Sequence, residues 1–454
     1  MGKGRTLIRS TLLLALSGLA LRGLGVLFHS LLAARVGAEG MGILQLVLTV
    51  GTFAGTLGSA GIRAASLQLC ARAWSRGDLP GAAGALRSCL RYGLLSSALV
   101  GTCLVLLAEP VSRILLREPR TALALRLLGL LLPWTILAGV LGACCTALGR
   151  VKELVGVELA ERLASAALTF GLLALAGRNQ TLVCGAVILG RYGAAIGTVL
   201  LLWRRLGKVL PGRGLPVPVS AAALPLGLND LLRSGLGTLE QFLIPLGLER
   251  HGSREAALAA YGTVSAMVFP LLWFPAELLF ALNELLVSEL AQCLARGRRA
   301  RMRELSAKSL ALAVLYALGV GMALWLGGGW LGRSLYHSSQ AGRWLRIFSP
   351  LVLVLYLDTV VDGIQKGLGQ QLWLVRYNSF TNVIDVLGLW LLLPPLGLWG
   401  YLITYCLSHL VNLFLSLRRL LTVLSDPRDV QGTGCIFPKN RYNKGKRQKA
   451  RKAS

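Results

Sequence analysis

Long apolar stretches recur along the whole chain, separated by shorter segments that are polar or rich in Gly and Pro. A helix needs about 20 mostly apolar residues to cross the hydrocarbon core of a bilayer. The pattern therefore predicts about twelve spanning helices. Their approximate positions are 10–34, 42–68, 90–110, 121–147, 154–176, 181–203, 221–247, 257–289, 305–331, 344–368, 373–394 and 397–417.

The predicted helices fall into two similar halves, offset by about 220 residues. Gly42 opens the second span and Gly262 opens the eighth, and each half begins with an arginine, Arg22 or Arg233, just before a Gly-Leu-Gly segment. Six helices per half place both halves in the same orientation, so the repeat is parallel. We expect an all-α polytopic membrane protein whose two parallel six-helix halves surround a central cavity.

This repeat divides the chain into four predicted parts. They are an N-terminal six-helix half (1–203), a cytoplasmic connecting loop (204–220), a C-terminal six-helix half (221–424) and a basic cytoplasmic tail (425–454).

Composition supports a membrane protein and changes how the charge is interpreted. Of 454 residues, 54% are hydrophobic and 15% are charged, against about 25% charged in soluble proteins. A net charge of +28 on a soluble chain would indicate nucleic-acid binding. Here most Lys and Arg lie in alternate loops and the tail, which is the positive-inside pattern for cytoplasmic termini. We therefore expect no nucleic-acid partner, and a tail able to contact anionic lipids at the cytoplasmic face.

Several charged residues fall inside predicted spans. A charge at the bilayer centre costs about 2.5–3.5 kcal/mol on insertion scales, so such residues should face a wet cavity or a partner. The arginines nearest mid-span are Arg22, Arg162, Arg191 and Arg233. His29 lies seven residues after Arg22 and shares its helix face, although a lone histidine is more often structural.

Carboxylates accompany these arginines. Glu158 and Arg162 are four residues apart on one helix face, which is compatible either with a structural ion pair or with a charged cavity wall. The repeat places Asn378 and Asn382 at the equivalent positions of the second half. The remaining candidate cavity or coupling carboxylates are Asp230, which can pair with Arg233, and Glu240, Glu277 and Glu284.

Motifs for other functions are missing from the sequence. It has no phosphate-binding loop of an ATPase, no H-E-x-x-H or paired-Cys metal pattern, and no G-x-S-x-G nucleophile motif. We therefore expect neither an enzyme nor a metal site, and no cofactor apart from possible coupling to protons or sodium ions. A transporter fits the pattern better.

Several segments resemble one transporter family. Residues 238–291, with a Glu before "LIP", a "YG" opening and a "LLVSEL" close, resemble helices seven and eight of stage V sporulation protein B-like polysaccharide transporters. "ARVGAEGMGILQLVLTV" (34–50), "VELAER" (157–162) and "LLLPPLGLWGYLIT" (391–404) resemble other parts of that group. The resemblance implies the multidrug/oligosaccharidyl-lipid/polysaccharide exporter superfamily, which includes lipid II flippases.

The implied function is to flip an undecaprenyl-pyrophosphate-linked saccharide across the bacterial inner membrane by alternating access, for cell-envelope, peptidoglycan or spore-cortex synthesis. Related flippases carry a first-helix arginine before "LGF", which corresponds here to Arg22. Arginine presents a forked donor set suited to phosphate. We expect Arg22 and Arg233 to converge on the pyrophosphate, Arg162 and Arg191 to assist, and Asn283 to bind sugar hydroxyls. Envelope-synthesis enzymes are possible partners.

Two other functions stay open at this level. A cation-coupled multidrug exporter of the same superfamily would use Glu240, Glu277 or Asp358 as ion sites in an acidic, aromatic-lined cavity. A basic, phosphate-sized cavity would instead favour the flippase. A scaffold without transport activity would tolerate loss of every mid-span charge.

Overall fold

The protein is described by a computed structural model covering residues 2–425, apart from 178, 211–214 and 216. Side chains are described from residue 23 onward, apart from those gaps and 221, 222, 224–226, 229 and 295. The described chain is helical throughout. Its main helices are α1 (Gly2–Ser59), α2 (Ile62–Ser75), α3 (Leu79–Leu106), α4 (Ala122–Ala147), α5 (Val151–Ala176), α6 (Gln180–Val209), α7 (Ser220–Leu248), α8 (Arg254–Gly262), α9 (Phe269–Trp273), α10 (Glu277–Ala295), α11 (Arg299–Tyr336), α12 (Ser339–Phe348), α13 (Leu351–Gly367), α14 (Gln371–Leu396) and α15 (Leu398–Ser425).

These helices account for twelve spans. Within the described residues, nine helical segments are long and apolar enough to cross a membrane, and a tenth is formed by α12 and α13, which meet at 57°. Gly37, at φ 72°, divides α1 into two spans. Helix α7, with 29 residues, is long enough to cross a bilayer and is taken as the remaining one. The predicted fold class, an all-α polytopic membrane protein of two six-helix halves, is confirmed.

The eighth span is broken where its prolines predict a kink. Helix α8 passes into a π-helical segment, Thr263–Val268, before α9, and the chain then bends at residues 274–276 before α10 begins. Pro270 and Pro275 lack backbone N–H groups, so a continuous helix could not keep its hydrogen bonds there. Residues on both sides of the break line one cavity.

Some helices are longer than their apolar cores. Helix α3 begins at Leu79, where the Asp78 side chain accepts a hydrogen bond of 2.8 Å from the Gly81 N–H group. Helix α6 continues to Val209, into the segment predicted as the connecting loop. Hydropathy marks only the part of a helix inside the bilayer, and caps set where the helix ends. The predicted basic tail, from 426 on, lies outside the described residues.

The helices pack as two lobes. The N-lobe comprises α1–α6, and the C-lobe comprises α7–α15. At the lobe contact, a Cβ atom on Gly42 would collide with the Leu258 carbonyl oxygen, and one on Gly262 with the Ala38 carbonyl oxygen. Each of these two contacts is the counterpart of the other in the repeat. Only glycine permits this backbone approach between α1 and α8.

This close contact lies toward the end of the molecule opposite the two termini, called here the far end. Further contacts join the lobes there. Arg117 in the N-lobe pairs with Glu249 in the C-lobe at 3.3 Å. Glu249 also pairs with Arg254, whose guanidinium donates to the Leu116 carbonyl oxygen. The lobes are therefore fastened together at the far end by backbone packing and by a small ionic network.

Candidate functional site

The N-lobe encloses a cavity of about 650 Å³ in its central region. Helices α1, α2, α4, α5 and α6 each contribute to its wall. Its lining residues are Leu24, Gly25, Phe28, His29, Arg63, Thr135, Glu158, Glu161, Arg162, Ser165, Ala166, Arg191 and Tyr192. Three arginines face two glutamates, so the cavity is basic.

One helix supplies much of the polar wall. On α5, Glu158, Glu161, Arg162 and Ser165 follow the i, i+3, i+4, i+7 spacing of a single helix face. The Thr198 hydroxyl of α6 donates to the Glu161 carboxylate at 2.7 Å. No ion pair joins Glu158 to Arg162 in the described structure. The two residues could form either a structural ion pair or a charged cavity wall, and their places in the lining fit the charged cavity wall.

The arginines of this cavity are available for a ligand. Arg63, Arg162 and Arg191 are exposed to its interior. Among the described residues, none of the three makes a hydrogen bond or an ion pair. His29 has a buried Nδ1 atom that also lacks a partner there. A guanidinium offers five N–H donors and no acceptor, so three such groups together form a site for an anion.

The C-lobe encloses a larger cavity, of about 960 Å³. Arg233 and Lys366 face five carboxylates, so this cavity is acidic. The carboxylates are Glu240, Glu284, Asp358, Asp362 and Asp385. Aromatic rings form another part of the wall. They belong to Phe269, Trp273, Phe280, Tyr401 and Tyr405.

Asp358 is held at the centre of a small polar cluster. The Asn412 amide donates to both of its carboxylate oxygens, at 2.9 and 3.0 Å. The Nδ1 atom of His409 lies 3.3 Å from Oδ2. Asp358 is only 8% exposed, so α13 and α15 fix its carboxylate in a set position. The neighbouring Asp362 and Asp385 each keep one buried oxygen without a hydrogen-bond partner among the described residues.

Asn283 is also oriented by its surroundings. Its amide donates to the Thr359 carbonyl oxygen at 2.8 Å. The amide oxygen stays without a hydrogen-bond partner in the described structure, and it lies so close to Gly363 that any larger residue there would collide with it. Asn283 therefore lines the C-lobe cavity with its amide oxygen buried against Gly363.

The predicted site residues are divided between the two cavities. His29, Glu158, Arg162 and Arg191 line the N-lobe cavity, whereas Arg233, Glu240, Asn283 and Glu284 line the C-lobe cavity. The side chain of Arg22 lies outside the described residues. Arg233 therefore belongs to the acidic cavity, away from Arg162 and Arg191, instead of to one shared arginine cluster.

Two predicted carboxylates lie outside both cavities. Asp230 is exposed on α7, and no ion pair joins it to Arg233 in the described structure. Glu277 is the first residue of α10, immediately after the proline break. Helical spacing identifies the face on which each residue lies, but it does not fix where the cavity wall ends along that face.

Sequence reasoning missed several lining residues that do leave a signal. On α14 the repeat predicts Asn378 and Asn382, and the missed residues Thr381 and Asp385 complete the spacing seen on α5. Tyr401, Tyr405, Ser408, His409 and Asn412 follow a helical spacing on α15. The repeat would have found the α14 residues, and the polar stripe along α15 would have found the second set. Arg63 is harder to find, because its place near a helix end is equally typical of a snorkelling side chain.

Comparison with known proteins agrees with this architecture. The sequence profile described as "Polysaccharide biosynthesis protein" matches residues 7–251, which is more than half of the chain. The chain belongs to the polysaccharide biosynthesis protein family. A second profile, described as "MatE", matches residues 250–391 of this family member. Stage V sporulation protein B of Bacillus subtilis (strain 168) is 23% identical over 416 residues, covering 87% of the chain and 80% of that protein.

Solved structures share the fold at low identity. An inward-facing multidrug resistance MATE transporter of the MOP superfamily has a TM-score of 0.71 at 14% identity, covering 93% of this chain and 100% of that one. The MATE multidrug transporter DinF-BH, solved as a ligand complex, has a TM-score of 0.67 at 17% identity, covering 94% and 96%. A MOP transporter from Pyrococcus furiosus, described as having a binding pocket of reverse polarity, has a TM-score of 0.63 at 13% identity, covering 91% and 94%.

The protein is thus a multi-pass membrane protein of the polysaccharide biosynthesis protein family with the fold of MATE transporters, and not an enzyme.

Proposed function

We propose that this protein flips a polyprenyl-pyrophosphate-linked saccharide across the bacterial inner membrane, with the pyrophosphate held in the N-lobe cavity. The observation that carries the proposal is a set of three arginines, Arg63, Arg162 and Arg191, that share one mid-span cavity and have no partner among the described residues. Cations inside a membrane protein that lack an ion-pair partner are costly and accompany a function. A pyrophosphate crossing hydrocarbon needs such fixed cations.

The C-lobe cavity fits the remaining requirements of this cycle. Its amides and carboxylates, such as Asn283 and Glu284, offer acceptors for sugar hydroxyls, and aromatic rings offer faces for sugar C–H groups. Asp358, held by Asn412 and His409, is a suitable site for a coupling proton or sodium ion. The saccharide and the coupling cation would then occupy the lobe that repels the pyrophosphate.

A second function is favoured by the same C-lobe cavity. Five carboxylates beside aromatic rings suit a flat organic cation, since cations bind both carboxylates and aromatic faces. A cation-coupled multidrug exporter would use this cavity for its substrate, with Glu240 or Asp358 as the ion site. The basic N-lobe cavity would have no role in that function, which is why we place it second.

The test is transport by the purified full-length protein in proteoliposomes. One arm measures movement of a fluorescent polyprenyl-pyrophosphate sugar between leaflets, and the other measures uptake of a cationic dye. The proposal expects lipid movement that is lost in Arg162→Gln/Arg191→Gln and retained in Arg113→Gln, an exposed arginine paired with Glu109. Dye uptake without lipid movement would replace the flippase with the exporter.

A further inference from the structure

A third group of arginines lies far from both central cavities, at the far end of the C-lobe. Arg333 near the end of α11 and Arg343 and Arg346 on α12 line a pocket of about 310 Å³ together with Ser339. All three arginines are exposed. Among the described residues, none of the three guanidinium groups makes a hydrogen bond or an ion pair. Three guanidinium groups without ion-pair partners in one small pocket form a favourable site for an anion.

The pocket is built by the packing of the two helices. A Cβ atom on Gly329 would collide with the Arg346 guanidinium, and one on Gly332 would collide with the backbone of Gly342. Glycine on α11 therefore makes room for α12 to approach and for Arg346 to lie across it. On its other face, α12 buries Leu345 and Phe348. The core contact fixes the rotation of α12 and directs its arginines toward α11.

The surface leading to the pocket identifies the kind of anion. Exposed apolar side chains form a stripe along α11 at helical spacing, ending at Arg333. They are Leu315 (71% exposed), Leu318 (53%), Met322 (59%), Leu326 (64%) and Trp330 (66%). In a spanning helix such a stripe faces acyl chains, and tryptophan marks the interface with the head groups. A ligand with a phosphate group and an acyl tail fits both parts of this surface.

We propose that Arg333, Arg343 and Arg346 bind the phosphate group of an anionic phospholipid in the leaflet at the far end, with its acyl chain along the α11 stripe. Bidentate contacts from the guanidinium forks suit a phosphate. This site is independent of the transported substrate, because neither central cavity contributes to it. It adds a regulatory or structural lipid to the C-lobe. The lipid would lie beside α12, which meets α13 at 57°.

The experiment measures lipid binding by native mass spectrometry of the purified full-length protein, with phosphatidylglycerol and phosphatidylcholine as probes. The variant is the triple Arg333→Gln/Arg343→Gln/Arg346→Gln. Its matched control is Arg113→Gln/Arg126→Gln/Arg250→Gln, which removes the same charge from exposed positions at the same end. We expect phosphatidylglycerol affinity to fall about tenfold or more in the pocket variant and about twofold or less in the control. Phosphatidylcholine binding should be unchanged in both.

A second variant, Trp330→Ser, tests the acyl-chain part of the site while leaving the arginines in place. It should weaken phosphatidylglycerol binding and leave binding of inorganic phosphate unaltered. Equal loss in the pocket variant and the control would overturn the proposal. So would competition by inorganic phosphate as effective as that by phosphatidylglycerol, since the site would then hold a free anion.

Discussion

The two lobes place cavities of opposite charge on equivalent helices. In the N-lobe, α5 lines its cavity with Glu158, Glu161, Arg162 and Ser165. In the C-lobe, α14 lines its cavity with Asn378, Thr381, Asn382 and Asp385, each 220 residues later. The repeat thus fixes which positions face the interior, while the side chains at those positions set a different electrostatic character in each lobe.

This difference has a physical consequence for a charged substrate. In an environment shielded from water, an anion is attracted to the arginines of the N-lobe and repelled by the carboxylates of the C-lobe. A cation experiences the reverse. Two ligands of opposite charge can therefore occupy the same protein without competing. The asymmetry can be tested by changing the charged residues of one lobe at a time.

The largest expected effect comes from removing the basic character of the N-lobe cavity. Arg162→Gln/Arg191→Gln should reduce flipping of a polyprenyl-pyrophosphate sugar by about 100-fold, since each lost charge-assisted hydrogen bond costs about 1.5–3 kcal/mol. The measurement is the initial rate of lipid flipping in proteoliposomes. Arg113→Gln is the control and should retain the wild-type rate. A flipping rate of the double variant within about threefold of the wild-type rate would contradict the proposal that the N-lobe cavity binds the pyrophosphate.

A smaller effect is expected in the acidic lobe. Asp358→Asn removes the negative charge beside His409 and leaves only a neutral amide oxygen to accept from the Asn412 amide. Flipping should slow by about tenfold, the cost of one such interaction, and its dependence on an imposed proton or sodium gradient should vanish. Asp78→Asn is the matched control, because asparagine caps a helix as well as aspartate does. If Asp358→Asn keeps the gradient dependence of Asp78→Asn, the coupling role is wrong.

The lobe contact tests where the two halves remain equivalent. Gly42→Ala and Gly262→Ala should each destabilise the protein, by about 1–3 kcal/mol for an overpacked site, and by similar amounts because their contacts correspond. Gly171→Ala is the control, since a Cβ atom there would meet nothing within 4 Å. Thermal unfolding in detergent measures the change. Destabilisation by only one of the two substitutions would show that the contact is not symmetric.

The smallest effect concerns how an N-lobe carboxylate is positioned. Thr198→Val removes the hydroxyl that donates to Glu161. The cost should be about 0.5–1.5 kcal/mol, equivalent to a change of a few fold in the KM for the lipid substrate. Thr198→Ser, which keeps the hydroxyl, should restore the wild-type value. Equal KM values for the Val and Ser variants would indicate that Glu161 needs no positioning partner.

The sequence predicts the fold more completely than the site. Apolar length, the offset repeat and the prolines of the eighth span are enough to place twelve helices and the kink near Pro270. Apolar length and prolines are local signals, and the repeat depends only on the spacing between similar segments of the chain. The division of Arg162 and Arg233 between two cavities depends instead on how each helix is rotated against its neighbours. That rotation follows from tertiary packing, which no single helix encodes.

The cluster around Asp358 illustrates the same limit. Asp358 lies on α13, and its partners His409 and Asn412 lie on α15, separated by a whole span. Helical spacing indicates that His409 and Asn412 share a face, but it gives no reason to place Asp358 opposite them. The sequence shows Asp358 among the acidic residues of the later helices, yet only packing of the C-lobe turns it into the centre of a hydrogen-bonded cluster.

The paired glycine contact at Gly42 and Gly262 resembles the interface of a homodimer held in one polypeptide. Residue 38 faces 262 while residue 42 faces 258, so the same patch is used on both sides, as in an isologous two-fold interface between subunits. Such an interface needs no covalent link to specify its geometry. The segment between Val209 and Ser220 then serves to keep two unlike copies together at a one-to-one ratio, one cationic inside and the other anionic.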